Sequence, residues 1–251
     1  MHIKLLYLMV IITICACFPR VAGENKSELS KADRIIEQAI LAHGGPAYET
    51  ETIQFNFRNN NYIFSHVDGG YLYQSTKTAQ DGSEIIDILN NGNFTRTVDG
   101  VEKSLSDKDT RRFSDGLNSV IYFASLPYKL RDKAVFKKYV GEATVKGQKY
   151  HEIEIYFSEE NGGTDHDDIF HYWISKENHT IDYLAYNYQV NGGGVRFRSA
   201  YNPSVVGGII FQDYINFKAP VGTSLQDLPA LYESGDLKEL SRIITEHINR
   251  L

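Results

Sequence analysis

The densest group of side chains able to do chemistry lies in the segment NGGTDHDDIFHYW, Asn161–Trp173. Three acidic residues and two of the chain's eight histidines fall between Asp165 and Tyr172. A protein metal site needs three or four such ligands converging at about 2.0 to 2.5 Å. Side chains alternate between the two faces of a strand, so Asp168 and His171 point apart, and the residues before them form a hairpin turn. We therefore predict no metal site.

A second candidate is the arginine pair of the segment GGGVRFR. Arg196 and Arg198 share one strand face, and Val195 and Phe197 share the other. Two adjacent guanidinium groups can clamp a carboxylate or phosphate headgroup. The alternative is that they pair with Glu152, Glu154 or Asp168 and hold the register of the sheet. Arg58 allows the same two interpretations.

Tyrosines extend this candidate binding site, because their rings are apolar and their hydroxyl groups are polar. The residues concerned are Tyr73, Tyr128, Tyr172, Tyr186 and Tyr188. Aromatic core is the alternative for each of them.

An enzyme is the second functional class, with His43, Asp168 or Asp213 as acid or base. The sequence has no G-x-S-x-G elbow, no glycine-rich loop leading into a helix, and no βα alternation for a Schiff-base barrel. It therefore favours binding over catalysis and predicts no cofactor. An envelope hydrolase or lyase that acts on a small or glycan-derived substrate remains an alternative, and a structural or partner-binding lipoprotein is another.

The elements that position these residues are mainly strands. Period-two patterns separated by glycine turns predict strands over 53–57, 62–64, 71–73, 85–89, 94–98, 134–142, 149–157, 167–174, 180–189, 194–201 and 208–217. Helices are predicted over 30–43, 107–117, 225–232 and 237–249. The expected fold is a strongly curved antiparallel sheet, an open half-barrel covered by helices.

Composition excludes some partners. The chain has 251 residues and a formal net charge of -6, so it lacks the basic surface that nucleic acids or anionic membranes attract. Both cysteines lie at positions 15 and 17, so the folded domain has no thiol chemistry and no disulfide. Protein partners and oligomeric state are not evident from the residues.

The N-terminus has the pattern of an export signal. Lys4 precedes an apolar run over 5–16 that is short for a bilayer span. The run ends in ICAC, which resembles a bacterial lipobox and would make Cys17 a lipidated N-terminus. We expect a signal over 1–16, a tether over 17–29 and one domain over 30–251. Cleavage after Val21-Ala22-Gly23, giving a soluble secreted protein, is the alternative.

Five segments carry a resemblance to a known family. The sequence resembles bacterial envelope lipoproteins typical of flavobacteria and their relatives, which are classed as a domain of unknown function. The matching segments are AHGG (42–45), NSVIYFASLPYKL (118–130), GGTDHDDIFHYWI (162–174), DYLAYNYQVNGGGVRFRSAYNP (182–203) and FQDYINFKAP (211–220).

The resemblance implies a fold similar to the half-barrels of periplasmic lipoprotein carriers, although fold alone does not confer function. The family pattern is retained at His43, Arg58, Asn118, Tyr128, Asp168, Tyr186, Arg196, Arg198, Asn202 and Asp213. It is not retained at His171, Ser175 and Ser204. We expect a lipid-anchored domain, on the periplasmic face of the outer membrane, that binds a lipid or other amphiphile with its headgroup near Arg196 and Arg198.

Overall fold

The computed structural model describes residues 29–66, 69–157, 168–189 and 192–251. The helices in these ranges are α1 (Lys31–His43), α2 (Ala47–Thr50), α3 (Asp107–Ala124) and α4 (Leu228–Ser234), with short 3-10 turns at Tyr128–Arg131 and Leu225–Asp227. The strands are β1 (Thr52–Phe57), β2 (Asn60–Ser65), β3 (Leu72–Thr78), β4 (Glu84–Asn90), β5 (Asn93–Val98), β6 (Val101–Glu102), β7 (Val135–Val145), β8 (Gln148–Phe157), β9 (Phe170–Ser175), β10 (Ile181–Tyr188), β11 (Gly194–Val206), β12 (Ile209–Ala219), β13 (Lys238–Ile243) and β14 (Glu246–Arg250).

The strands form two antiparallel sheets of seven strands each. The first sheet has the order β14-β1-β2-β3-β4-β5-β6, and the second has the order β13-β12-β11-β10-β9-β8-β7. Strands β13 and β14 follow each other in the chain but lie at the edges of different sheets, so the short segment between them links the two. The predicted open, mainly β architecture with flanking helices is confirmed, and its strands are divided between two sheets that do not close into a barrel.

The predicted helix over 237–249 is wrong. These residues form β13, which pairs with β12 through Ile243 and Tyr214, and β14, which pairs with β1 through Arg250 and Ile53. Each strand covers a sheet edge whose backbone groups would otherwise lack partners. Tertiary pairing has therefore overridden a local pattern that suits a helix.

Helix α3 is longer than its sequence pattern predicts. The Ser106 hydroxyl accepts a hydrogen bond of 3.1 Å from the Asp109 amide and caps the first turn, and the helix continues through the apolar run up to Ala124. Ile121 packs into the aromatic core of the first sheet, whereas the Phe123 ring contacts Phe170 of the second. The helix therefore fills one side of the space between the sheets.

The second sheet is covered on both faces, which matches the alternation of its side chains. Helix α1 packs through Ile36 and Ile40 on the face that carries Tyr172. On the opposite face, Trp173 and Phe197 form a core with residues of α4. Residues of odd and even number in β9 and β11 therefore lie in different environments.

Candidate functional site

A cavity of about 460 Å³ lies between the two sheets, beside α3. Its apolar wall is supplied by β1, α3, the start of β9 and the start of β12. The main apolar residues are Phe55, Phe57, Val120, Phe123, Phe170 and Phe211. Its polar wall comes from β10, β11, the segment before β9 and the β1–β2 turn, and includes Arg58, Asp168, Tyr186, Tyr188, Arg196 and Arg198. A small-ligand site typically has such an apolar wall with a few convergent polar groups.

Strand alternation brings the two arginines to this cavity. Arg196 pairs across the ladder with Tyr186, and Arg198 pairs with Leu184, so all four positions lie on the inner face of the second sheet. Val195 and Phe197 lie on the outer face, in the core beneath α4. The predicted separation of GGGVRFR into two faces is therefore what the structure shows.

Arg198 is the buried member of the pair, with 8% of its surface exposed. Its Nη2 donates a hydrogen bond of 2.9 Å to the Tyr186 hydroxyl, and its Cζ lies 4.1 Å from the centroid of the Phe123 ring. Within the described part of the chain, its buried Nε has no hydrogen-bond partner. None of these contacts supplies a negative charge, and a buried donor without a partner is energetically unfavourable.

Asn216, opposite Arg198 on β12, also has a side-chain group that lacks a hydrogen-bond partner among the described residues. Asn216 pairs with Arg198 in the ladder and donates from Nδ2 to the Ser241 hydroxyl over 3.2 Å. Among the described residues, its buried Oδ1 has no hydrogen-bond partner. Two neighbouring buried polar groups, one donor and one acceptor, are thus left with hydrogen-bonding capacity.

Arg196 and Arg58 lie closer to solvent. The Arg196 guanidinium donates to the Tyr188 hydroxyl and to the Val195 carbonyl, the latter over 3.1 Å. Tyr188 reaches it by lying across Gly194, where a Cβ would overlap the tyrosine ring. This explains the last glycine of GGGVRFR. Arg58 is exposed in the β1–β2 turn, with a left-handed φ of 49°.

The buried phenols of Tyr214 and Tyr172 do not neutralise the arginines. Tyr214 lines the cavity, and burial raises the pKa of its hydroxyl although the Arg198 charge opposes that shift. The neighbouring Tyr172 has its pKa raised well above the usual value for the same reason, desolvation by burial. Both phenols are therefore neutral at physiological pH, and they cannot act as counter-ions.

Asp168 lies on the inner face, as the strand alternation predicts. It is buried and lines the same cavity as Arg196 and Arg198. Glu152 and Glu154, the other proposed partners of the arginines, are wrong as partners because they lie on the outer face with His171. The His171 Nδ1 is 2.7 Å from Glu152, and its Nε2 is 3.4 Å from Glu154.

The sequence-predicted ligand residues divide into two groups. Six line the cavity: Arg58, Asp168, Tyr186, Tyr188, Arg196 and Arg198. Asn202, also predicted to bind the ligand, is not among the lining residues. Three tyrosines lie in the cores instead. The Tyr73 hydroxyl is 2.9 Å from the His66 Nε2, Tyr128 stacks on Tyr48, and the Tyr172 hydroxyl is 3.0 Å from that of Tyr122.

The remaining predicted polar residues do not meet in one site. His43 is buried, its Nε2 accepts a hydrogen bond of 3.0 Å from the Ile181 amide, and burial lowers its pKa to about 4. Asp213 accepts from the Asn202 amide group at 2.8 Å and from the Thr245 backbone at 3.0 Å, which fixes the link between β13 and β14. Asn118 is exposed on α3. Among the described residues that line the cavity there is no histidine beside a carboxylate.

Two other predictions concern metals and the N-terminus. In the described ranges, no group of three or more His, Cys, Asp or Glu side chains is placed to hold a metal ion. His166, the turn before it and Cys17 lie outside the described residues. None of the helices described is both long and apolar enough to cross a membrane.

Sequence reasoning missed the part of the cavity that α3 and β12 supply. Ser119, Val120, Phe123 and Ala124 line it from one face of the helix. Their spacing of one, three and four residues is the signal that could have identified this face. Gln212 and Tyr214 alternate on β12 in the same way, but no local pattern shows which sheet they oppose.

These features define an open β protein in which two antiparallel sheets and a helix line an amphipathic cavity. This architecture resembles LolA-like folds. The chain belongs to the family of unknown function DUF6503, whose model matches residues 9–245. No curated protein sequence matches the chain.

The solved structures that match this chain include proteins from three bacteria. A LolA superfamily protein from Nitrosomonas europaea has a TM-score of 0.51 at 12% identity, over 88% of this chain and 93% of its own. A domain designated an outer membrane lipoprotein-sorting protein, from Vibrio parahaemolyticus, has a TM-score of 0.41 at 10% identity, over 78% and 96%. The lipoprotein LppX from Mycobacterium tuberculosis has a TM-score of 0.28 at 10% identity, over 64% and 89%. The fold assignment rests on the first of these.

Proposed function

We propose that the protein is a lipid-anchored protein of the bacterial envelope that binds a lipid or other amphiphile between its two sheets. The observation that carries this proposal is the cavity of about 460 Å³, in which an apolar wall faces a cluster of arginine and tyrosine side chains. Burying an acyl chain there contributes about 0.8 kcal/mol per methylene group, and the guanidinium groups provide donors for a headgroup. The similarity in fold to a LolA superfamily protein supports the same class of function.

The envelope location rests on the N-terminal sequence. A signal over 1–16, lipidation of Cys17 and a tether over 17–29 would hold the domain over 30–251 at a membrane, and we propose the periplasmic face of the outer membrane. A Cys17→Ser variant is expected to move from the membrane fraction to the soluble periplasmic fraction. Unchanged membrane association would contradict the anchor.

Native mass spectrometry of the mildly purified full chain tests the binding proposal. We expect a co-purified amphiphile, identified after its release, and a melting temperature that falls when the protein is delipidated and recovers when the ligand is returned. The absence of any bound lipid together with the absence of a lipid-dependent shift would overturn the proposal.

A matched pair of variants localises the ligand. Val120→Trp adds an indole to the cavity wall, whereas Val101→Trp adds one at an exposed position on β6. The first variant is expected to lose the co-purified amphiphile, and the second is expected to retain it. Equal retention by two folded variants would show that the ligand lies elsewhere.

A further inference from the structure

Two properties of the cavity narrow the class of ligand: its size and its charge. The inference drawn from them rests on the proposed function, because size and charge select a ligand only if an amphiphile occupies the space between the sheets. The size limits how many acyl chains fit, and the charge selects among headgroups.

The volume suits one chain. A methylene group fills a space similar to that of a water molecule, which takes about 30 Å³ of liquid, so a cavity of about 460 Å³ holds about 15 such groups. This corresponds to one long acyl chain with a small headgroup. The two or three chains of a diacyl or triacyl lipid exceed it.

The charge of the wall selects an anion. Three guanidinium groups and one carboxylate line the cavity in the described part of the chain, an excess of two positive charges with Asp168 ionised. The Tyr214 phenol does not offset this excess, since burial raises its pKa and keeps it protonated. A neutral or zwitterionic headgroup would leave the excess uncompensated.

The position of the headgroup follows from the burial of the arginines. Arg198 is the most buried of the three, Arg196 is half-buried and Arg58 is exposed at the rim. Residues two apart on a strand face are separated by about 6.6 Å, so one carboxylate or phosphate group can contact both Arg198 and Arg196. The Arg198 Nε, buried without a partner among the described residues, is the donor that such a group would satisfy.

The tail then follows the apolar wall. From the arginines, that wall continues over Phe123 of α3 toward Phe55 and Phe211 at the far end of the sheets. On β12, Phe211 lies five residues from Asn216, the partner of Arg198, which separates the two ends by about 17 Å. The cavity is therefore elongated, with the buried charge at one end.

We infer that the ligand is a single-chain amphiphile with an anionic headgroup, held by Arg198 and Arg196 with its acyl chain between α3 and the two sheets. A long-chain fatty acid and a monoacyl phosphate share this chemistry. Their separate titrations show which headgroup is preferred.

Displacement of a fluorescent fatty-acid analogue from the delipidated full chain tests this inference. We expect the fatty acid or the monoacyl phosphate to bind with one-to-one stoichiometry. A monoacylglycerol with the same chain is expected to bind at least about tenfold more weakly, and a diacyl phosphatidate is expected not to compete. Equal binding of the neutral ligand, or competition by the diacyl lipid, would overturn the inference and leave the proposed function intact. If no amphiphile binds, both fail.

Variants separate the two halves of the ligand. Arg198→Gln is expected to weaken the anionic ligand about tenfold to hundredfold and to leave monoacylglycerol binding unchanged, whereas Arg242→Gln, at an exposed arginine paired with Glu239, changes neither. Ala124→Phe shortens the apolar end, so long-chain fatty acids weaken while a medium-chain acid is retained. If Arg198→Gln does not fold, Ala124→Phe and the comparison of ligands on the unmodified chain still decide the question. Equal losses for charged and neutral ligands in Arg198→Gln would contradict the headgroup assignment.

Discussion

Replacing Arg198 by methionine is expected to stabilise the ligand-free protein. Arg198 is buried, its guanidinium has one hydroxyl partner, and its Nε has no hydrogen-bond partner among the described residues. Removing an unpaired buried donor contributes about 1–3 kcal/mol, and losing the hydrogen bond to Tyr186 costs about 0.5–1.5 kcal/mol. Methionine retains the apolar contact with Phe123. The net gain is therefore about 1 kcal/mol in the free energy of unfolding, or about 2–4 °C in melting temperature for a domain of this size.

Arg96 on β5 supplies a matched control. It has the same exposure, 8%, but its Nε and Nη2 contact the Asp87 carboxylate at 2.5 and 2.7 Å. Breaking a buried ion pair by removing one partner destabilises a protein by about 3–5 kcal/mol. Arg96→Met and Arg198→Met should therefore change stability in opposite directions in guanidinium chloride titrations of the delipidated chain.

Bound ligand is expected to reverse the order of stability of the unmodified protein and Arg198→Met. At a ligand concentration one hundred times its Kd, binding adds about 2.7 kcal/mol to the stability of the unmodified chain. The variant, which binds the anion more weakly, gains less and becomes the less stable of the two. The reasoning is refuted if Arg198→Met destabilises the ligand-free chain by more than about 1 kcal/mol, because the guanidinium would then already be fully satisfied.

Three further predictions concern pH, the link between the sheets and the cavity rim. Burial lowers the pKa of His43 to about 4, so between about pH 6.5 and pH 4 the unfolded chain binds a proton that the folded chain does not. The free energy of unfolding therefore falls as the pH drops through this range. His43→Gln should reduce the slope of stability against pH by about one proton, and an unchanged slope would contradict the prediction. Asp213→Ala removes two hydrogen bonds, so it should destabilise the protein by about 1–3 kcal/mol and speed amide hydrogen exchange in β14. Unchanged exchange in β14 would argue against the role of Asp213 in fixing the segment between β13 and β14. Arg58→Gly relieves the strain of a left-handed backbone, so it should stabilise the chain by about 0.5–1 kcal/mol in thermal unfolding and weaken the binding of an anionic ligand. Arg58→Lys is the control, because it retains both the strain and the charge. A Gly variant no more stable than the Lys variant would show that the backbone is not strained.

The strand faces could be predicted from the sequence because the period of two is a local property. Alternation alone separates Arg196 and Arg198 from Val195 and Phe197, and it places Asp168 on the face opposite to His171. Once adjacent strands pair in register, residues on the inner face of each strand share one environment. For this reason, the part of the candidate site that lies on β10 and β11 could be predicted from the sequence.

The other wall of the cavity was not accessible, because it depends on contacts between distant segments. The apolar run at 120–124 suits either a loop or a helix, and only the packing of Phe123 against Phe170 shows that it faces the second sheet. In the same way, 237–249 has a helical pattern, but two open sheet edges take it up as strands. Tyr172 lies on the same strand face as Phe170 but does not line the cavity, because its hydroxyl group forms a hydrogen bond with the Tyr122 hydroxyl group in the core.

The contrast between Arg96 and Arg198 shows that sequence, and not fold, leaves the cavity charged. Both arginines lie on internal strands and face inward, with equal exposure. The strand beside Arg96 offers Asp87 at the directly opposed position. The two strands beside Arg198 offer Leu184 and Asn216, neither of which carries a charge. A single acidic residue at either position would have placed a carboxylate opposite Arg198. Its two uncharged neighbours instead leave its Nε without a partner among the described residues, and this is the donor that the proposed anionic ligand would satisfy.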